Sequence, residues 1–389
     1  MNPKLWLAGR AVAVAGHVAV ERVTRPRART RADVPRDGAS ITTEWLTDVL
    51  CSGTPGAEVE SFHSPGGHSG TSTRTALRVQ YNPAGKAAGL PEALFAKTTT
   101  NYSQRLLLGA AHVLDGETNF FMHLRPLISI EAPLGYWGIA DEKSWRSYAL
   151  MEDIAETRGA QFITATTPLS RDQIADLVGN MARYHGALWE HPAIAILKTP
   201  RDHLRNVGQM IDMAGRAKVG MERAKSVIPS ELHGQADRMW HGTQKALELA
   251  TLMPATLLHG DSHAGQTYIT GAGRMGLADW QAVQQGGWAY DFAYLVGSAC
   301  EPDDRRAWER DLLAGYLEQL AEAGGKAPDF DEAWLAYRQQ LLYPYSAWAF
   351  TIGRAFYQPR MQPDEISLAI IHRLSSAIAD HDSLTAVGV

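Results

Sequence analysis

Leu257-Leu258-His259-Gly260-Asp261-Ser262-His263-Ala264-Gly265-Gln266 is followed ten residues later by Gly276-Leu277-Ala278-Asp279-Trp280-Gln281. Each aspartate comes at the end of an apolar run. The two stand eighteen positions apart, and the carboxamide of Gln266 comes five residues after the first. One carboxylate that orients a hydroxyl and accepts its proton, with further side-chain oxygens for Mg²⁺, is the set of groups that phosphoryl transfer asks for.

Upstream of this stretch the pattern changes. Residues 42–50 have a hydroxyl-rich start and helical apolar spacing. Short strands are expected at 57–64, 73–81, 93–97, 135–140 and 148–151, with turn chemistry at Tyr81-Asn82-Pro83-Ala84-Gly85. A helical pattern covers 104–125. From 153 onward the chain reads as mainly helical, at 174–188, 201–219, 232–251, 303–324, 330–352 and 362–381. The expected fold class is α+β with two lobes: a small β-rich lobe at 41–152 and a larger helical lobe at 153–389. Residues 1–40 form an arm and linker before them.

The first lobe carries its own chemistry. Pro65-Gly66-Gly67-His68-Ser69-Gly70-Thr71-Ser72 is a small-residue loop between two strands, and Gly67, Ser69 and Gly70 would let backbone N–H groups approach phosphate oxygens. No Gly-Lys-Ser/Thr follows, so it is not a Walker loop. Thr71 occupies the place where a hydrolase nucleophile elbow needs glycine. Lys97 ends an apolar strand and Glu117 lies on the helical pattern after it, the order of the lysine–glutamate pair that holds nucleotide phosphates in kinases. Leu150-Met151-Glu152-Asp153-Ile154 reads as an extended connector, with Met151 and Asp153 as nucleotide contacts.

In the second lobe His259-Gly260-Asp261 with Gln266 has the spacing of the kinase catalytic loop, His-Arg-Asp and then Asn. Asp261 is the catalytic carboxylate, Gln266 and Asp279 the metal ligands, and His259 a structural brace. A different class of reading takes His259, Asp261 and His263, at alternating positions, as the ligands of a metal-dependent hydrolase. The two glycines of the segment favour a loop.

These residues resemble the aminoglycoside phosphotransferase/choline kinase-like superfamily, whose signature is His-Gly-Asp-x-His-x-Gly-Asn followed by an Asp-Trp-Glu/Gln-like element. The resemblance spans about residues 42–385. Gly287-Trp288-Ala289-Tyr290-Asp291-Phe292-Ala293-Tyr294 is similar to the segment in which the family's aspartate, here Asp291, caps a helix and braces the catalytic loop. Ala182-Arg183-Tyr184-His185-Gly186-Ala187-Leu188-Trp189 is similar to the helix before its substrate lobe. The stretch with Tyr357-Gln358-Pro359 and Ala379-Asp380-His381-Asp382 resembles uncharacterised bacterial members more than antibiotic-resistance enzymes. The resemblance implies a protein-kinase-like fold, ATP or GTP with Mg²⁺ as cofactors, and a small hydroxylated acceptor. Gln266 departs from the pattern by one methylene, which moves the amide oxygen by about 1 Å where Mg²⁺ wants near-octahedral geometry. A nucleotide-binding pseudokinase with a regulatory role is the alternative.

Whole-chain properties are those of an ordinary soluble globular protein, and a cytoplasmic location is expected. The 389 residues are 45% hydrophobic and 20% charged, with a net charge of −5 that speaks against nucleic acid as a partner. Cys51 and Cys300 are too few for a disulfide framework or a zinc site. Residues 1–36 carry eight Lys/Arg against Glu21 and Asp33, a balance of +6 that leaves the rest near −11. This arm lacks the order of a signal peptide and offers a weak membrane or protein contact. Trp280, Trp288, Tyr290, Tyr343, Tyr345, Trp348, Phe350, Phe356 and Tyr357 either fill the helical core or line a pocket for a bulky or quaternary-ammonium acceptor.

Overall fold

A computed structural model describes residues 3–356, 358 and 360–389. Tyr357 and Pro359 lie outside the described residues. The chain divides into two compact units, Met1–Pro126 with Pro133–Ala160, and Leu127–Ala132 with Gln161–Val389.

The first unit is built on an antiparallel sheet of β1 (Val59–Ser69), β2 (Thr73–Tyr81), β3 (Ala93–Thr98), β4 (Gly135–Asp141) and β5 (Arg146–Glu152), in the order β1-β2-β3-β5-β4. Alternation decides its buried face. Leu77, Val79 and Tyr81 of β2, with Leu94 and Ala96 of β3, are each at most 2% exposed. Helix Thr43–Leu50 closes this face with Trp45, Leu46 and Val49. Its first turn is held by the Trp45 N–H donating to the Thr42 hydroxyl at 3.1 Å, and the Trp45 ring meets Tyr148 edge-on at 5.3 Å. β1 runs further than its glycines suggest. Gly66 and Gly67 are paired with Ala76 and Thr75, so the turn itself is only Gly70-Thr71-Ser72.

The pattern over 104–125 predicts one helix, and the structure breaks it. Helix Tyr102–Ala110 ends where His112 takes a positive φ of 55°. The chain then makes one turn, Gly116–Asn119, and runs into a wider π turn over Phe120–Leu124. The arm is a 22-residue helix, Pro3–Thr24. It packs Val14 and Val18 against Trp145, with Trp6, Leu7, Leu106 and Leu114 around them. A buried ion pair fixes it: both terminal nitrogens of Arg105, which is 0% exposed, donate to Glu21 at 2.9 and 2.5 Å.

The second unit is mainly helical. Among its longer helices are Arg171–Ala187, Ala236–Ala250, Ala289–Ala299, Pro302–Glu322 and Asp364–Asp380. The patterns at 201–219 and 330–352 each become two helices. Asp212, at φ 49°, ends Pro200–Ile211 and caps Met213–Arg223 through the Gly215 N–H. Phe330–Gln340 gives way to Leu342–Ile352, whose first turn contains Pro344, a residue without an N–H to extend the preceding helix. Short strands lie among the helices: β6 (Gln161–Phe162), β7 (Thr256–Leu258), β8 (Thr267–Ile269), β9 (Met275–Leu277) and β10 (Gln284–Gly286). β7 pairs with β10, and β8 pairs with both β6 and β9. Trp280, Trp288, Tyr290, Tyr343, Tyr345 and Trp348 are buried, whereas Phe356 is fully exposed. Among the described residues no helix is long and apolar enough to cross a membrane.

Replacing Glu21 leaves the Arg105 guanidinium buried without its carboxylate, and breaking one side of such a pair costs about 3–5 kcal/mol. Glu21→Ala is therefore expected to lower the denaturation midpoint of the first unit, followed by circular dichroism in urea. A loss below about 1 kcal/mol would mean that the arm is not anchored by this pair.

Candidate active site

In the first unit Lys97 lies on β3, paired in register with Ala149 of β5 and Arg74 of β2. Its Nζ is 3.1 Å from Oε2 of Glu117, and the two side chains are 6% and 10% exposed. The one-turn helix bearing Glu117 comes close because β4 has glycine where it passes. A Cβ on Gly138 would lie 2.9 Å from the Thr118 Cα. The broken helix thus has a purpose: it drops Glu117 against the sheet beside Lys97.

The turn after β1 is pinned by a residue the sequence did not single out. Gln104, 3% exposed, donates from Nε2 to the Ser69 hydroxyl at 3.1 Å and to the Gly70 carbonyl at 3.0 Å. Its Oε1 accepts from the Thr100 N–H at 3.0 Å. Gly67 sits within the strand pairing, away from this turn. Met151 is buried in β5 between Phe95 of β3 and Gly135 of β4. Asp153 is spent on the chain itself. Its carboxylate accepts from Arg78 at 2.9 Å, its N–H reaches the Ala93 carbonyl, and its own carbonyl accepts from Glu156 and Thr157.

In the second unit the decisive group is Asp291, in the first turn of helix Ala289–Ala299 and 0% exposed. It does not cap that helix. Its Oδ2 accepts from the His259 N–H at 2.6 Å and the Tyr184 hydroxyl at 2.8 Å, and its Oδ1 accepts from the Gly260 N–H at 3.0 Å. Burial opposes the charge, but the His185 ring beside it and these N–H donors outweigh burial and hold the carboxyl below its ordinary range. Burial pushes the pKa of His185 down. The loop bends at Gly260, where φ is 84° and a Cβ would lie 2.1 Å from the Ala282 carbonyl oxygen.

That bend presents Asp261, whose side chain is 35% exposed and so open to a ligand. Oδ1 accepts from the Tyr294 hydroxyl at 2.7 Å and Oδ2 from Gln266 Nε2 at 3.0 Å. His263 Nδ1 accepts from the Gly265 N–H, so its other nitrogen, 3.6 Å from Asp261 Oδ2, carries the proton. Burial would raise the Asp261 pKa; His263, Tyr294 and Gln266 together keep it below the usual carboxylate range. The Tyr294 hydroxyl is in turn met by Trp348 Nε1 at 3.1 Å. Tyr294 was legible only as a helix residue, yet it follows Asp291 by three and therefore shares its face.

Asp279 reaches the same loop through a hairpin. β8 and β9 pair Thr267 with Leu277, and the Ala278 N–H donates to the Gln266 carbonyl at 2.8 Å. Gln266 and Asp279 thus flank the same end of one hairpin. Asp279 leaves it with φ and ψ of 58°, a left-handed turn. His259 ties both aspartates down: Nε2 is 2.9 Å from the Ala278 carbonyl, and Nδ1 accepts from the Asp261 N–H at 3.3 Å. Both ring nitrogens of His259 are therefore used by backbone, which overturns the hydrolase reading. Among the described residues no group of three or more His, Cys, Asp or Glu side chains is placed to hold a metal.

The sequence profile of the phosphotransferase enzyme family matches residues 103–339. The chain belongs to this family. The matched span takes in Glu117, Asp261, Gln266, Asp279 and Asp291; Lys97 and the turn after β1 precede it. A putative aminoglycoside phosphotransferase from Ralstonia eutropha superposes with a TM-score of 0.50 at 10% identity, over 87% of this chain and 96% of that one. This likeness shows the two-lobed, kinase-like α+β fold. A choline kinase from Streptococcus pneumoniae aligns with a TM-score of 0.43 at 11% identity, over 86% and 96%. A macrolide 2′-phosphotransferase from Brachybacterium faecium aligns at 0.43 and 14%, over 81% and 94%. No curated protein sequence matched the chain.

Tyr294→Phe removes one donor from Asp261 and keeps the ring. A hydrogen bond to a charged group is worth about 1.5–3 kcal/mol, so turnover is expected to fall at least about tenfold. The anion loses stabilisation, so the Asp261 pKa rises and the acid limb of the pH profile moves to higher pH. An unshifted acid limb would show that the tyrosine only packs.

Proposed function

We propose that the chain is an ATP- or GTP-dependent kinase that uses Mg²⁺ and transfers the γ-phosphoryl group to a hydroxyl of a small molecule. The observation that carries this reading is the Asp261 carboxylate: ionised, partly open, and held by Tyr294 and Gln266 on a loop clamped by Asp291. A carboxylate of low basicity suits a loose transition state, where it orients the acceptor hydroxyl and takes its proton late. Lys97, steadied by Glu117, supplies positive charge for the nucleotide phosphates, and the N–H groups of the turn pinned by Gln104 offer further contacts. Family membership supports the phosphoryl-transfer class, and the choice of nucleotide and acceptor rests on this proposal alone.

The residues present fit a magnesium ion. The Gln266 NH₂ is committed to Asp261, which fixes the amide plane and leaves its oxygen free to coordinate. Mg²⁺ characteristically takes one or two carboxylates together with substrate phosphates rather than a full protein cage, so Gln266 and Asp279 form an adequate donor set. When bound, the ion would neutralise charge on the transferring phosphates. The Asp153 carboxylate accepts from Arg78 within the first unit, and the proposal assigns it no role at the metal.

The test is a panel of hydroxylated small molecules incubated with Mg²⁺ and ATP or GTP, with phosphorylated products read by mass spectrometry. The wild-type chain is expected to phosphorylate at least one acceptor class. Asp261→Asn is expected to lower that rate by at least about 10³-fold while still binding nucleotide. No product from any acceptor, with an Asp261→Asn variant that matches wild type in every turnover, would leave a nucleotide-binding regulator as the better reading.

A further inference from the structure

The N-terminal helix Pro3–Thr24 has two apolar faces, and only one of them is used. Trp6, Leu7, Val14 and Val18 turn inward, with Glu21 locked on Arg105. On the opposite side Leu5, Val12, Val20 and Val23 are 69%, 75%, 60% and 84% exposed. At about 100° per residue these four fall within roughly 80° of arc, together with Gly9 and Gly16. Only alanines fill the neighbouring positions of that arc, and no Cβ placed on either glycine would meet another atom within 4 Å. With these alanines the apolar arc widens to about 140°, a width that normally faces a core. Here it faces outward along the whole helix, a length of about 33 Å.

Charge decides what covers it. Arg22, Arg25, Arg27 and Arg29 are exposed at and just beyond the end of the helix, and among the described residues their side chains make no hydrogen bond or close ion pair, although Arg27 and Arg29 lie in electrostatic range of the exposed Glu44. Their neighbours behave differently. Arg31 is tied to Asp48, Arg36 to Asp37, and Arg10 to the carbonyls of Glu142 and Lys143. The one acid among residues 22–36, Asp33, is occupied by the Arg29 and Thr30 N–H groups. Residues 25–29 span at most about 17 Å, so these exposed guanidiniums stay close to the apolar stripe.

We propose that this face of the N-terminal helix docks the chain on an anionic lipid bilayer. The stripe enters the boundary of the acyl chains, and the four arginines meet lipid phosphates. A second copy of the helix would supply apolar surface but no negative charge, because the only acid of the helix is the buried Glu21. The proposal is independent of the phosphotransferase reading.

Co-sedimentation of the full chain with vesicles of pure phosphatidylcholine, and of phosphatidylcholine with phosphatidylglycerol, tests it. Partitioning to the anionic vesicles is expected to be at least about tenfold stronger and to weaken with added salt. Val12→Asp with Val20→Asp, and separately Arg25→Gln with Arg27→Gln and Arg29→Gln, are each expected to abolish the difference without altering the thermal midpoint. Equal partitioning to both vesicle types overturns the proposal. So does wild-type binding by both variants, or a dimer in light scattering that is dispersed by the valine variant and never meets lipid.

Discussion

The candidate site of the second unit depends on one buried carboxylate. Asp291 collects the backbone N–H groups of His259 and Gly260 and the hydroxyl of Tyr184, from two parts of the chain that are more than seventy residues apart. A buried ion is costly unless each lone pair finds a donor, and here the donors are those that a tight loop would otherwise leave unpaired. The buried charge and the loop's N–H groups thus satisfy one another. Ser262 adds a further tie, its hydroxyl donating to the Asp291 carbonyl at 3.1 Å.

The clamp sets the directions of the groups around it. With His259 and Gly260 fixed, Asp261 has one way to point, and Tyr294, one helical turn beyond Asp291, arrives at its carboxylate. The same His259 ring grips the Ala278 carbonyl and lies 4.7 Å from the Trp280 ring, so the position of Asp279 depends on the same anchor. Gln266 completes the set from the turn that leads into β8. A loop that must hold an ionised group in a fixed direction is built here from donors that have no freedom to reorganise, the condition under which electrostatic stabilisation of a reaction is largest.

Much of this was legible in the sequence where chemistry is local. The spacing of His259, Asp261, Gln266 and Asp279 marked a catalytic-type loop, while the hairpin that brings Asp279 back to it was not foreseen, and alternation in 73–81 marked a strand. Long-range facts were not legible. Nothing in Gln104 announces that its amide will pin a turn some thirty-five residues earlier. Residues 104–125 read as one helix because apolar periodicity continues across His112, while the positive φ there and the glycines of β4 decide otherwise. The apolar and aromatic periodicity of 330–352 runs on across the break at 340–342, which the missing N–H of Pro344 imposes. The turn after β1 looked longer than it is because Gly66 and Gly67 imitate turn residues while sitting in a strand.

Amide hydrogen exchange across residues 256–266, in the wild-type chain and in Asp291→Asn, tests the clamp most directly. The account predicts that the His259 and Gly260 amides are among the slowest in the second unit. In the variant they should speed up by at least about 100-fold, as a charge-assisted acceptor is replaced by a neutral one, while helix Arg171–Ala187 keeps its protection. Wild-type exchange at His259 and Gly260 as fast as in the exposed turn at 271–273 would contradict it.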